Sequence, residues 1–357
     1  MHAAAFTGRC GDNFEMASSI PARPLIDAFQ RSIDYLRVSV TDRCNLRCVY
    51  CMPEEGVPFV PHQEILTLEE IARIIRLAAG MGLRRVRLTG GEPLVRKGIV
   101  NLVRWISQTP GIEDISLTTN AMLLPSCAHE LAAAGLRRVN VSLDTLRPER
   151  FRQITRRGDL SAVMAGIAAA RDAGLSPVKL NVVVMREVND DEIVEIARTT
   201  QEEDWQVRFI ELMPFMEEQE TCIRDTSLVP GFVPTQAVKR QIEEALGPLA
   251  AAEANAGSGP ARYYRLPAAR GLIGFISPLS DAQFCATCNR MRLTADGKIR
   301  PCLLTDQEVD LKQTLRRGGS DDDLRQRILA ALDSKPDAHH LGDGNRPRRR
   351  KMAQIGG

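Results

Sequence analysis

"YLRVSVTDRCNLRCVYCMPEEG", residues 35–56, decides the reading of this chain. Its first six residues alternate with period two, the pattern of a strand with one covered face. The loop leaving that strand carries Cys44, Cys48 and Cys51 at C-x3-C-x2-C spacing. Thiolates so close in sequence hold zinc or an iron–sulfur cluster, and both ordinarily take four protein ligands. This loop offers three. Either a distant residue completes a zinc site, or three corners of a cubane are held and the fourth iron is left for a substrate or cofactor.

Working outward, apolar runs and helical runs alternate. Residues 67–82 have helical spacing, with Thr67 as cap and Glu70 three residues on. Strands are expected at 84–90, 113–119, 137–144, 177–185 and 206–213, with helices near 97–108, 125–135, 160–173 and 190–202. Six strands separated by helices predict right-handed crossovers and a parallel α/β sheet. A doubly wound sheet and an open, partial (βα)6 TIM-like barrel both satisfy that order. Polar residues at the strand ends, in "LTGGEP", "LTTN", "VSLD" and "FIELM", favour the barrel, which gathers such ends at one mouth. The cysteine loop lies at the same mouth.

At 357 residues, 44% hydrophobic and 26% charged, the chain can bury a large core and suits about two domains. Residues 1–33 read as a flexible N-terminal extension and 34–250 as the barrel. The turn-rich "AAEANAGSGPAR" at 251–262 opens a C-terminal region, 251–357, with short helices near 308–317 and 321–333 and a basic end, "NRPRRRKMAQIGG". Neither an 18-residue apolar run nor a signal peptide is found, so no membrane partner is expected. A net charge of +2 and 4% aromatics speak against a nucleic-acid platform. The nine cysteines cluster as metal ligands do in a reducing, cytoplasmic compartment; Cys10, Cys127 and Cys222 are scattered and receive no role.

The second cluster of cysteines is Cys285, Cys288 and Cys302, again three. His339 and His340 follow and offer a zinc completion; a second cluster with an open iron is the alternative. Arg290 and Arg292, two apart in "NRMRLTADGKIR", share one face if that segment is extended. Beside a metal they suit a phosphorylated, planar ligand; on a bare strand they would be a solvated pair.

The Cys44, Cys48, Tyr50, Cys51 stretch after a first strand, with "TGGEP" at 89–93, resembles the radical S-adenosylmethionine superfamily. With "GLRRVNVSLDTL", "VRFIELMPF", "FCATCNRMRLTADGKIRPCL" and the terminal "GG", residues 34–357 resemble the GTP 3′,8-cyclases of molybdenum cofactor biosynthesis. The resemblance implies a partial barrel whose mouth is closed by a C-terminal iron–sulfur region. It implies two 4Fe-4S clusters, on Cys44, Cys48 and Cys51 and on Cys285, Cys288 and Cys302. S-adenosylmethionine completes the first and yields a 5′-deoxyadenosyl radical; the second holds the guanine of GTP. The radical takes the ribose 3′ hydrogen, and the ribose then closes on carbon 8, giving 3′,8-cyclo-7,8-dihydro-GTP.

By the same resemblance, Tyr50, Gly91, Ser142 and Met213 contact S-adenosylmethionine. Arg37, Arg87, Thr118, Lys179, Arg208, Arg290 and Arg292 contact GTP. No side chain is assigned as catalytic beyond the cluster ligands. An electron donor, a following cyclic pyranopterin monophosphate synthase and room for a homodimer are also implied. Bare backbone at Gly90 and Gly91 suits close approach to a ligand's amino group. The final glycines can thread a crowded site, with Arg348, Arg349, Arg350 and Lys351 either adding charge near the phosphates or staying solvated. Two departures are seen: Ala121 stands where the family often has glycine, and residues 214–232 diverge.

Overall fold

The computed structural model describes residues 23–215, 231–253, 259–339, 341, 347 and 349–356. Cys10, Cys222, His340, Arg348 and Gly357 lie outside the described residues. All six expected strands form: β1 (Tyr35–Ser39), β2 (Arg85–Thr89), β3 (Asp114–Thr119), β4 (Arg138–Ser142), β5 (Lys179–Val184) and β6 (Gln206–Glu211). Helices α1 (Leu68–Gly80), α2 (Ile99–Ser107), α3 (Ala128–Ala133), α4 (Pro148–Thr155), α5 (Leu160–Asp172) and α6 (Ile193–Glu202) connect them. The expected capping box opens α1: Glu70 N–H donates to Thr67 Oγ1 at 3.1 Å and Thr67 N–H to Glu70 Oε2 at 2.8 Å. Helix α4 was not expected; the β4–β5 crossover carries two helices.

Six strands are not the whole sheet. After α7 (Thr235–Leu246) come β7 (Ala250–Ala252), β8 (Arg262–Arg265), β9 (Leu272–Ile276), β10 (Arg290–Leu293), β11 (Lys298–Arg300) and β12 (Val309–Asp310). They are followed by α8 (Lys312–Arg316), α9 (Asp321–Asp333) and α10 (Met352–Ile355). Strand β9 pairs parallel with β6 and β10 pairs parallel with β1, so the C-terminal region extends the parallel sheet at both edges. Antiparallel β8–β7 and β11–β12 lie outermost in a 12-stranded order, β12-β11-β10-β1-β2-β3-β4-β5-β6-β9-β8-β7, that does not close. This is an open barrel, as the strand-end pattern favoured.

One face of the sheet is apolar. Leu36, Val38, Val86, Leu88, Ile115, Leu117, Val139 and Val141 are buried in the main core, to which α1–α3 and α5 contribute. The alternating positions, from β1 to β6, are Arg37, Arg87, Ser116, Asn140, Asn181 and Arg208. Parallel sheets are usually apolar on both faces. Here the inner face is polar and largely cationic, and it forms the wall of a cavity. The stretch read as an extension, 1–33, is described from residue 23, and its Leu25 and Ile33 are buried in the main core.

Candidate active site

The first cysteine loop is pinned from both sides. Val40 N–H, just past β1, donates to the Thr89 carbonyl at 2.9 Å. Arg47 and Val49 N–H donate to the carbonyls of Thr155 and Ile154, at the end of α4, at 3.0 and 2.9 Å. Tyr50 Oη donates to Asp144 Oδ2 at 2.8 Å, and Asp144 Oδ1 accepts from Val183 N–H at 2.8 Å. Burial pushes Cys44 up to about 11 and Cys51 up to about 12, and burial with the neighbouring Cys51 raises Cys48. Buried thiols so crowded become thiolates only with a cation among them. Among the described residues no three His, Cys, Asp or Glu side chains converge as ligands of a single ion. A cubane seats each thiolate on its own iron, spread wider than ligands about one ion, so the donor set fits a cluster better than zinc.

Gly90 and Gly91 have a reason for bare backbone other than the expected one. Gly91 N–H donates to the Thr41 carbonyl and Glu92 N–H to the Arg43 carbonyl, each at 2.8 Å. A Cβ on Gly91 would stand 2.3 Å from the Arg43 carbonyl oxygen, and one on Gly90 2.6 Å from that of Thr41. The glycines let the β2 end lie directly on the cysteine loop. Glu92 then ties in the next strand end, accepting from Thr119 Oγ1 and Asn120 N–H at 2.7 Å each. Its carboxyl is buried, which lifts it to about 7.

Strand register sets a row of guanidiniums side by side: Arg292 on β10 faces Arg37 on β1, which faces Arg87 on β2. Burial, together with Arg292, holds Arg37 well below the usual range, and burial brings Arg87 and Arg292 to about 10. Arg208 Nη2 donates to Asn140 Oδ1 at 2.6 Å, while its Nε, Arg290 Nε, Thr118 Oγ1 and Asn181 Oδ1 are buried without a hydrogen-bond partner. Buried polar atoms left this way call for a polar ligand. Several cations on one wall call for an anionic one.

Across the cavity lie the second cysteines. Cys288 N–H turns back onto the Cys285 carbonyl at 3.1 Å, and Leu304 N–H donates to Cys302 Sγ at 3.4 Å. His339 Nε2 meets the Pro278 carbonyl at 2.6 Å, which occupies that ring nitrogen, and among the described residues no three His, Cys, Asp or Glu side chains are grouped to hold a single ion. The tail enters here. Arg292 Nη1 donates to the Gly356 carbonyl at 3.1 Å. Ala353 packs with Cys44 and Cys51, while Ile355 and Met352 pack with Cys302, so α10 touches both cysteine sets. Arg350 is not solvated: it pairs with Asp296 at 2.9 Å and Glu308 at 2.6 Å.

One cavity, about 1980 Å³ including the space open at its mouth, collects the residues singled out above. It is lined by Cys44, Cys48, Cys51, Cys285, Cys288 and Cys302. Tyr50, Gly91, Ser142 and Met213 line it, as do Arg37, Arg87, Thr118, Arg208, Arg290 and Arg292. Lys179 does not; it is buried at the start of β5, with Nζ 3.4 Å from Tyr263 Oη. Asp144, Asn181 and His339 line the cavity without having been singled out as its polar lining.

The sequence matches the Radical SAM superfamily over residues 38–200 and Molybdenum Cofactor Synthesis C over residues 205–341. It is 54% identical to the GTP 3′,8-cyclase of Pelotomaculum thermopropionicum, covering 93% of this chain and 99% of the relative. It is 55% identical to that of Heliobacterium modesticaldum, over 93% and 100%. The chain belongs to the GTP 3′,8-cyclase family. Among solved structures, Streptococcus suis SuiB bound to S-adenosylmethionine is similar with a TM-score of 0.56 and 17% identity, covering 86% of this chain and 68% of that one. SuiB bound to precursor peptide SuiA gives 0.57 and 16%, over 94% and 76%. At that identity the likeness is one of fold, and it is to the open radical SAM barrel. The family membership accounts for why two incomplete cysteine sets and a wall of arginines share one cavity.

Proposed function

We infer that this chain converts GTP to 3′,8-cyclo-7,8-dihydro-GTP, the first step of molybdenum cofactor biosynthesis, as its family relatives are named to do. The observation that carries the reading is the shared cavity: two three-cysteine sets and the arginine wall open into one space. In this reading Cys44, Cys48 and Cys51 hold the first 4Fe-4S cluster, and Cys285, Cys288 and Cys302 hold the second. When bound, the first cluster and S-adenosylmethionine supply a 5′-deoxyadenosyl radical able to take the ribose 3′ hydrogen.

The chain's own work is to bind, orient and exclude. Arg37, Arg87, Arg208, Arg290 and Arg292 carry the positive charge that a triphosphate requires, and Thr118 Oγ1 offers a further donor. Lys179, set deeper, lies behind them, where a bound triphosphate would favour its charged form. Tyr50 is fixed by Asp144, and Gly91 and Ser142 present strand ends to S-adenosylmethionine, with Met213 beside them. Segment 352–356 lies against both cysteine sets and so shields the reacting space from water. We assign the radical-generating half to residues 34–250 and the guanine-holding half to 251–357.

An electron donor must reduce the first cluster, and the product's consumer is a cyclic pyranopterin monophosphate synthase. No helix among the described residues is long and apolar enough to cross a membrane. The described cysteines are all free thiols, which supports a cytoplasmic setting. The test is anaerobic: reconstituted protein should hold about eight irons and cleave S-adenosylmethionine to 5′-deoxyadenosine. Replacing Cys44, Cys48 and Cys51 with Ala should remove about half the iron and all cleavage. Replacing Cys285, Cys288 and Cys302 should spare the first cluster and abolish cyclised product; full GTP turnover in that variant would refute the assignment.

A further inference from the structure

Just beyond α9, Lys335 is buried at 4% exposure, with its N–H on the Leu332 carbonyl at 3.0 Å. Its Nζ donates to the Pro301 carbonyl at 2.7 Å, to the Arg290 carbonyl at 3.0 Å and to Cys288 Sγ at 3.4 Å. An ammonium has three hydrogens, and these three partners take them all. No carboxylate lies within ion-pair reach of Lys335 among the described residues. A buried cation without a counter-anion is costly, so the charge has to be answered by something else. The sulfur of Cys288 is the one partner able to carry a full negative charge.

The three partners also have a pattern. Cys288 is a member of the second cysteine set, Pro301 immediately precedes Cys302, and Arg290 opens β10 between them. A single side chain therefore joins the two separate segments that supply this set. A second cation completes the bracket: Arg31 Nη1 donates to the Cys285 carbonyl at 2.9 Å and to the Asp337 carbonyl at 2.7 Å, and Arg31 Nη2 to that of Pro336 at 2.5 Å. The residues that hold Lys335 in place are thus tied back to the remaining cysteine. The first cysteine set has a comparable tie to a carbonyl, Arg47 Nη1 donating to that of Cys44 at 2.8 Å, but among the described residues no lysine or arginine donates to one of its sulfurs. The sulfur of Cys44 accepts from the backbone N–H of Leu46, and that of Cys51 from the backbone N–H of Ala353.

We propose that Lys335 is a positioning residue for the second cluster, holding Cys288 and the Cys302 segment in place and drawing the cluster's reduction potential upward. Hydrogen bonds and positive charge at a ligating sulfur favour the reduced, more negative cluster. The proposal rests on the assignment of Cys285, Cys288 and Cys302 as cluster ligands.

The experiment uses the full chain with Cys44, Cys48 and Cys51 replaced by Ala, so that only the second cluster remains. This parent is reconstituted anaerobically and compared with parent K335M and parent K335R. Iron content, loss of iron to a chelator, and the midpoint of a dithionite titration followed by EPR are measured. K335M should show a more negative midpoint and several-fold faster iron loss, or fail to retain the cluster, while K335R stays close to the parent. K335M in the otherwise natural chain should keep the first cluster's iron, which separates a local effect from failure to fold. An unchanged midpoint and chelation rate in K335M overturns the proposal, as does K335R behaving like K335M. A parent that binds no iron removes the second-cluster assignment and the Lys335 proposal with it.

Discussion

Arg292 on β10 donates to the carbonyl of Gly356 at 3.1 Å, so an arginine of the barrel wall holds the chain's own end. Gly356 is in left-handed backbone, with φ of 77°. A Cβ there would approach Thr89 Cγ2 to 2.8 Å and Ser39 Cβ to 3.1 Å, at the ends of β2 and β1. Replacing Gly356 with Val therefore adds backbone strain of about 1–2 kcal/mol and a steric clash. The variant should bind GTP within a few-fold of the natural chain and still cleave S-adenosylmethionine, yet form little cyclised product. Parallel equilibrium binding and product assays check this, and full product yield would mean that the tail is idle.

Arg290 and Arg292 are expected to act on affinity instead. Each should make charge-assisted hydrogen bonds to GTP worth roughly 1.5–3 kcal/mol. Arg290→Ala and Arg292→Ala should each raise the dissociation constant about tenfold or more, measured by calorimetry on the reconstituted protein.

Lys179 gives a pH prediction. Burial, with Arg208, Arg138 and Arg87 close by, brings its ammonium down from 10.5 to about 6. The unfolded chain binds a proton that the folded one refuses across that interval. Stability from this site is therefore complete above the ordinary lysine range and is lost as pH falls toward 6. Lys179→Met should stabilise the ligand-free protein at pH 7. The gain should shrink as pH rises to 10, at a slope of at most about 1.4 kcal/mol per pH unit. Denaturant melts at several pH values test it; a pH-independent gain would mean that packing, not charge, dominates.

Arg350 fastens the tail through Asp296 and Glu308, all three side chains being mostly buried. Breaking one partner of such a set typically costs about 3–5 kcal/mol. Arg350→Ala should raise amide exchange in residues 351–356 and lower product formation, with first-cluster iron unchanged. Protected tail amides in the variant would place the anchor elsewhere.

The barrel was legible because its signals are local. Period two in "YLRVSV" and the Thr67–Glu70 box are read within a few residues, and both appear as expected. What was not legible is non-local. Strands β9 and β10 are five and four residues long, and their partners β6 and β1 lie far away in sequence. Helix α4 was missed because a loop-like "TLRPER" leads into it, although Pro148 sits at its first turn, where proline is tolerated. In the site, spacing pointed to the two cysteine sets, and the family resemblance pointed to the arginines that line the cavity with them. Lys179 begins β5, one alternation deeper than Asn181, and unlike Asn181 it does not line the cavity. A further reason for glycine at 91 was not legible, because its crowding partner, Arg43, comes from another segment that only the fold brings near.

The pairing of β10 with β1 and of β9 with β6 has a consequence for how the chain is made. During synthesis the six N-terminal strands leave the ribosome first, and both borders of their sheet stay bare until nearly three hundred residues have been joined. Bare strand borders recruit other strands, so the growing chain passes through a sticky interval that only its own last third can end. Translation slowed after β6 would lengthen that interval, and the yield of folded protein should then depend on elongation speed and on chaperone supply rather than on the finished enzyme's stability.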